Sequence, residues 1–196
     1  MKAFFRTWFT GYYQPLAFAE ALRTAPAPHW GLLAVIMRSA LDALLIYLPA
    51  ALLGRQPSMP SYLTFAPTER YFAFAAAVTL PVFLAQWLVG GGATHVILRL
   101  LKRRSDADLI LSFTGLQSLV VGAFLVVWDW GWILLGSTDY NALGISHLVI
   151  DLWWVTLNVT CCKRLLDVPV PLGIALSMVG ILLGIPFGIL FMRAPI

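Results

Sequence analysis

"WGLLAVIMRSALDALLIYLPAALL", residues Trp30–Leu53, is an apolar run interrupted near its middle by two opposite charges, Arg38 and Asp42. At about 1.5 Å per helical residue, a run of this length crosses the ~30 Å hydrocarbon layer of a bilayer. Four further stretches qualify in the same way: Tyr71–Val89, Leu109–Trp128, Leu143–Cys161 and Val170–Phe191. Composition agrees. Hydrophobic residues make up 60% of the chain and charged ones 11%, with a mean hydropathy of +0.84. A soluble domain would hold roughly 45–50% apolar and about 25% charged residues. The ten-residue alternation of a membrane barrel is absent from the sequence. The expected fold is therefore all-α: a polytopic bundle of five transmembrane helices over residues 30–196, preceded by a separate segment, 1–29.

That first segment, "MKAFFRTWFTGYYQPLAFAEALRTAPAPHW", has no uninterrupted apolar core followed by a small-residue cleavage site, so it does not read as a signal peptide. Phe5, Phe9, Tyr12 and Tyr13 recur at helical spacing beside Lys2 and Arg6. Aromatic bodies with basic partners suit the headgroup region, and the expectation is an interfacial helix.

Orientation follows from the basic residues between spans, since Lys and Arg concentrate on the cytoplasmic side. Odd-numbered connecting segments hold nine of them and even-numbered ones three. This places the N-terminus in the cytoplasm and the C-terminus outside, in the inner membrane if the cell is prokaryotic. The pI near 9.3 is then accounted for by anionic lipid headgroups at the cytoplasmic surface. No aromatics interleave with the basic loop, and nucleic acid is not an expected partner.

Arg38 and Asp42 are four apart and share a helix face. On the fourth span His147, Asp151 and Asn158 also share a face, and Asp151 falls at a depth between Arg38 and Asp42. A charge at a helix centre costs roughly 2.5–3.5 kcal/mol on insertion scales, so pairing is expected. The arrangement that satisfies it sets the first and fourth spans face to face, with Arg38 bridging Asp42 and Asp151 and His147 or a proton balancing the remaining negative charge. Such a cluster serves either to fix helix register or to form an ion path, proton relay or substrate site. His29, His95 and His147 are dispersed, so neither a metal nor any other cofactor is expected. The adjacent Cys161 and Cys162 read as small apolar packing residues, with juxtamembrane palmitoylation as the alternative.

On the fifth span Gly180, Gly184 and Gly188 repeat every four residues, and Gly173 and Ser177 extend the pattern upstream. Small residues on one face let helices approach closely, within the bundle or in a homo-oligomer or with another membrane protein. In "WLVGGGATHVILRLLKRRSDADL", Gly90, Gly91 and Gly92 interrupt the second span. Residues 93–104 then segregate apolar side chains from Arg99, Lys102, Arg103 and Arg104. The expectation is a second surface helix, held by anionic lipid. No strand precedes the glycines and no Gly-Lys-Ser/Thr follows them, which excludes a phosphate loop.

"YYQPLAFAEALR" before the first span, "QWLVGGGATHVILRLL" between the second and third, "HLVIDLWWVTLNV" and a Gly-rich last span together resemble the Yip family, the Ypt/Rab-interacting membrane proteins and their prokaryotic relatives. That resemblance implies five spans, a cytoplasmic N-terminus and a non-enzymatic role in organising membrane or binding partners. The alternative from a different class is a small transporter or lipid-moving protein that uses the Arg38, Asp42, Asp151 and His147 cluster. A water-accessible groove at the cluster favours the transporter; a dry, fully paired cluster favours the organiser.

Overall fold

The computed structural model describes residues 1–24, 27–57, 60–136 and 139–191. Apart from turns and connecting loops the described residues are helical, with no strand among them: α1 (Lys2–Thr10), α2 (Pro15–Thr24), α3 (Pro28–Asp42), α4 (Leu48–Leu52), α5 (Tyr71–Leu100), α6 (Ala107–Leu134), α7 (Tyr140–Leu166) and α8 (Val170–Phe191). A π-helical turn, Ala43–Tyr47, joins α3 to α4, and a 3-10 turn, Thr68–Arg70, leads into α5. Five helical segments are long and apolar enough to cross a membrane: His29–Leu52, Thr68–Leu100, Ala107–Leu134, Asn141–Leu166 and Val170–Phe191.

The closest helix pair is α3 with α6, and its geometry follows from small residues spaced by seven. A Cβ on Gly31 would overlap the Leu111 carbonyl, and one on Gly115 would overlap the Gly31 backbone. Seven residues on, Arg38 lies across Gly122, where a Cβ would strike the guanidinium stem. Farther on, seven residues past Arg38 and eight past Gly122, Trp130 Nε1 donates to the Leu45 carbonyl at 2.9 Å. The two helices therefore run parallel and in register, and steps of seven keep one seam facing the partner. Pro49 shapes the far end of this seam. It has no N–H to offer the Leu45 carbonyl four residues earlier, and the Trp130 indole supplies a donor there. The chain leading to Pro49 widens into the π-helical turn, the Leu48 N–H reaching back to the Ala43 oxygen.

Two apolar clusters hold the ends of the bundle. At the end carrying Arg99, Lys163 and Arg164, Phe4, Phe18, Leu22, Leu98, Leu109 and Leu166 are buried together with both cysteines. At the opposite end Ile46, Tyr47, Tyr71, Phe72 and Val126 form a second cluster. Tyr71 Oη also donates to the Leu190 carbonyl at 3.2 Å, which ties the start of α5 to the end of α8.

Two sequence-based expectations are corrected here. The first concerns residues 93–104, which do not form a separate surface helix: α5 continues without a break through Gly90–Gly92 to Leu100. Three helical glycines forgo about 1 kcal/mol each relative to alanine, but a break would leave backbone groups unsatisfied in an apolar setting. Gly91 also serves a close approach, since a Cβ there would come within 2.8 Å of Leu111 Cδ2. Arg99, Lys102, Arg103 and Arg104 are all exposed, at the end of this long helix and in the turn after it.

The second correction concerns residues 1–24. They form a helical hairpin standing against α6 and α7, where the sequence reading has an aromatic face lying flat in the headgroups. Phe4, Phe18, Ala19 and Leu22 are fully buried. At the tip, Trp153 Nε1 donates to the Gly11 carbonyl at 3.1 Å, and a Cβ on Gly11 would come within 2.6 Å of Val120 Cγ2. Val120 lies ~20 Å along α6 from its start, about halfway. The physical reason is area: Phe4, Phe18 and Leu22 bury fully against the bundle, which an in-plane helix one residue-layer deep does not offer them.

Candidate functional site: a cavity bordered by all five long helices

Arg38 forms the expected ion pair with Asp42, Nη1 to Oδ1 at 2.6 Å, in a nearly fully buried setting. The i, i+4 spacing within one helix makes this contact a local consequence of sequence. The same Nη1 donates to the Gly122 carbonyl at 2.5 Å, and the guanidinium carbon lies 5.3 Å from the centre of the Phe83 ring. Arg38 is thus fixed by α3 itself, by α6 and by α5.

The rest of the expected cluster is arranged differently. The first and fourth spans do not meet face to face, because α6 packs along α3 through Gly31, Gly115 and Gly122 and takes the place assigned to α7. Among the described residues Arg38 makes no ion pair with Asp151. His147 Nε2 lies 2.7 Å from Asp129 Oδ1 on α6, and its ring is not hydrogen-bonded to Asp151. Asp129 also lies within electrostatic range of Asp42, so the seam carries a row of ionisable groups from Arg38 through Asp42 and Asp129 to His147. Asp129 is not among the expected cluster residues because it follows Trp128, at which the third apolar run ends in sequence, whereas α6 continues to Leu134. Asn158 Nδ2 donates to Ser177 Oγ at 2.8 Å, which joins α7 to α8 and accounts for its burial.

Arg38, Asp151 and Asn158 nevertheless share one feature: all three border a half-open cavity of about 350 Å³ in the middle of the bundle. Its wall takes Val35 and Arg38 from α3, Phe83 to Thr94 from α5, Thr114 to Leu125 from α6, Asp151 to Asn158 from α7, and Leu176 to Ile185 from α8. On α5 and α6 the bordering residues extend over ~16 Å of helix. The volume lies within the range of small-molecule sites, roughly 300–1,000 Å³. Much of the surface is apolar, and most of the hydroxyls bordering it are spent on their own helix: Thr94, Thr114 and Ser118 donate to Gly90, Ile110 and Gly115 carbonyls. Asp151 is different. Among the described residues its carboxylate accepts no hydrogen bond and meets no cation within 4 Å; His147, one turn earlier on α7, is within electrostatic range.

Two of the three glycines in the four-residue repeat of α8, Gly180 and Gly184, also belong to this cavity. A Cβ on Gly180 would come within 3.1 Å of the Trp154 ring, and one on Gly184 within 2.7 Å of Gln86 Nε2. Gly188 faces open space. The stripe therefore makes room for cavity-wall side chains at two positions and contacts nothing at the third.

No protein-family description, curated protein sequence or solved structure matches the chain.

Proposed function

We propose that the protein is a non-enzymatic integral membrane protein, N-terminus in the cytoplasm, that binds and moves a small amphipathic molecule through the centre of its bundle. One observation supports this over a purely organising role: the half-open cavity bordered by all five long helices, with Arg38 and Asp151 in its wall. A dry cluster that only fixed helix register would pair every charge. Here Arg38 is paired and Asp151 is not. Asp151 is half-buried; leaving a partly desolvated carboxylate unmatched is unfavourable, and ionisable groups inside membranes commonly mark substrate or ion paths. The basic end, with Arg99, Lys102, Arg103, Arg104, Lys163 and Arg164, would rest on anionic headgroups.

The organising role implied by the Yip resemblance draws on a different observation, the α1–α2 hairpin. It stands beside one half of the bundle only and would add volume to a single leaflet.

The test of the cavity reading is access. Ser118→Cys, in a background with Cys161→Ala and Cys162→Ala, places one thiol on the cavity wall. A water-soluble thiol reagent should modify it in the folded, lipid-embedded protein, and Ser118→Phe, which fills the space, should abolish binding of amphiphiles. A thiol at 118 that stays unmodified while a control thiol in the 54–70 loop reacts would overturn the reading.

A further inference from the structure

The charges around the cavity point to the class of molecule that enters it, an inference that rests on the cavity being a binding site. Arg38 is already neutralised: Asp42 lies 2.6 Å from its Nη1, and the Gly122 carbonyl takes a hydrogen bond from the same nitrogen. An anionic ligand would therefore meet an arginine whose charge is matched and whose position is fixed on three sides. The group left over is Asp151, and the surplus charge in the wall is negative.

The neighbours of Asp151 suit a cation. Trp154 is three residues along the same helix and borders the same cavity, so the carboxylate and the indole lie on one face. Trp87 borders the cavity farther along its length, its Nε1 donating at 3.1 Å to the Leu111 carbonyl near the start of α6, whereas His147, one turn before Asp151, meets Asp129 near the end of α6. Indole faces attract ammonium groups, most strongly where water is excluded. Beyond them the wall turns apolar, with Leu125, Leu176, Ile181 and Ile185. Gln86, beside Gly184, makes no hydrogen bond among the described residues and adds a neutral polar group there.

We infer that the cavity receives a cationic amine with an apolar body: the ammonium group at Asp151 beside Trp154, the hydrocarbon along α8 towards Ile181 and Ile185. No covalent step is involved, and the ion pair formed on entry gives the half-buried, unmatched Asp151 carboxylate a partner. This differs from a general lipid groove, which would take neutral and anionic amphiphiles equally well.

The experiment uses the full chain in nanodiscs of neutral lipid and three radiolabelled probes of equal chain length: an alkyltrimethylammonium, an alkyl alcohol and an alkyl sulfate. The ammonium should bind about tenfold more tightly than the alcohol, the scale of one well-formed cation–π and ion-pair contact. The sulfate should bind most weakly. Asp151→Asn should remove the preference and leave alcohol binding in place, and Asp151→Glu should keep it. Trp154→Leu should reduce it, and Trp154→Phe should retain part of it. Equal binding of all three probes by the unaltered protein, or a preference that survives Asp151→Asn, would overturn the inference while leaving the cavity a binding site. Failure of every probe to bind would overturn both.

Discussion

The seam between α3 and α6 and the side of the bundle formed by α7 and α8 contain similar residues, put to opposite use. Both hold glycines, both hold an aspartate near mid-helix, and both hold an indole making or meeting an interhelical contact. Along the seam every such feature is used up. Gly31 and Gly115 bring backbones together, Gly122 admits Arg38, Asp42 takes its charge, and Trp130 supplies the donor that Pro49 lacks. On the other side Asp151 is unmatched, and Gly184 makes room for Gln86 at the cavity wall. Burial follows the same division: 61% of the most apolar window of α6 is buried, against 17% for α7 and 11% for α8. A glycine or a charge in an apolar helix therefore has no meaning of its own. Its role depends on whether the neighbouring helix closes on it.

The sharpest way to break this comparison is to remove the charge at the centre of the seam. Arg38→Ala leaves Asp42 buried without its cation, a change that costs about 3–5 kcal/mol in soluble proteins and less where a span can tilt or admit water. Thermal denaturation in neutral detergent should detect the loss. A double-mutant cycle then separates the two regions. Arg38 and Asp42 should couple by about 1–3 kcal/mol, while Arg38 and Asp151 should be additive to within ~0.5 kcal/mol. A coupling of Arg38 to Asp151 as large as that to Asp42 would mean that the two groups meet and that the cavity between the regions is closed.

A smaller but more local effect is expected at Gly115. An alanine there drives a methyl into the Gly31 backbone, and overpacking of this kind costs about 1–3 kcal/mol. Unchanged thermal stability of Gly115→Ala would show that α3 and α6 can separate freely, so that the seam is no tighter than the α7–α8 side.

These contacts also explain which parts of the molecule were legible in the sequence. The five long helices were, because length and apolar composition are properties of a segment taken alone; four of the five expected spans end within several residues of the observed helices. Arg38 with Asp42 was legible too, because four residues along a helix is a local distance. Which helix lies beside which is not local. His147 and Asp151 have suitable depths to meet Arg38, but depth is shared by every helix in the layer, and α6 stands in between. A signal did exist. Gly31 and Arg38 on α3, and Gly115 and Gly122 on α6, are each seven apart, so a small residue and a large one alternate with small partners along a parallel seam. The denser glycine stripe of α8 is the more conspicuous pattern in the sequence, yet it borders the cavity at only two positions. The Gly90–Gly92 triplet misled for a related reason: glycine ends helices in water, where freed backbone groups find other partners, and continues them where it has none.

The smallest predicted effect sets the two kinds of glycine directly against each other. Gly188 has nothing within 4 Å of the position a Cβ would take, and Gly90 shares that freedom. In a helix interior a glycine lacking any steric duty only adds conformational entropy to the unfolded chain, so Gly188→Ala should raise stability by about 0.5–1 kcal/mol. The same substitution at Gly184 would push against Gln86 on the cavity wall, and should gain less or lose. The measurement is thermal denaturation of both variants, together with chemical crosslinking in bilayers. If Gly188 were the contact point of a homo-oligomer, its methyl would separate the subunits, and the crosslinked species would decline with no gain in stability. A gain at 188 with unchanged crosslinking assigns that glycine to the open face of α8 and confines the required small residues to positions where another helix, or a side chain of the cavity wall, presses on the backbone.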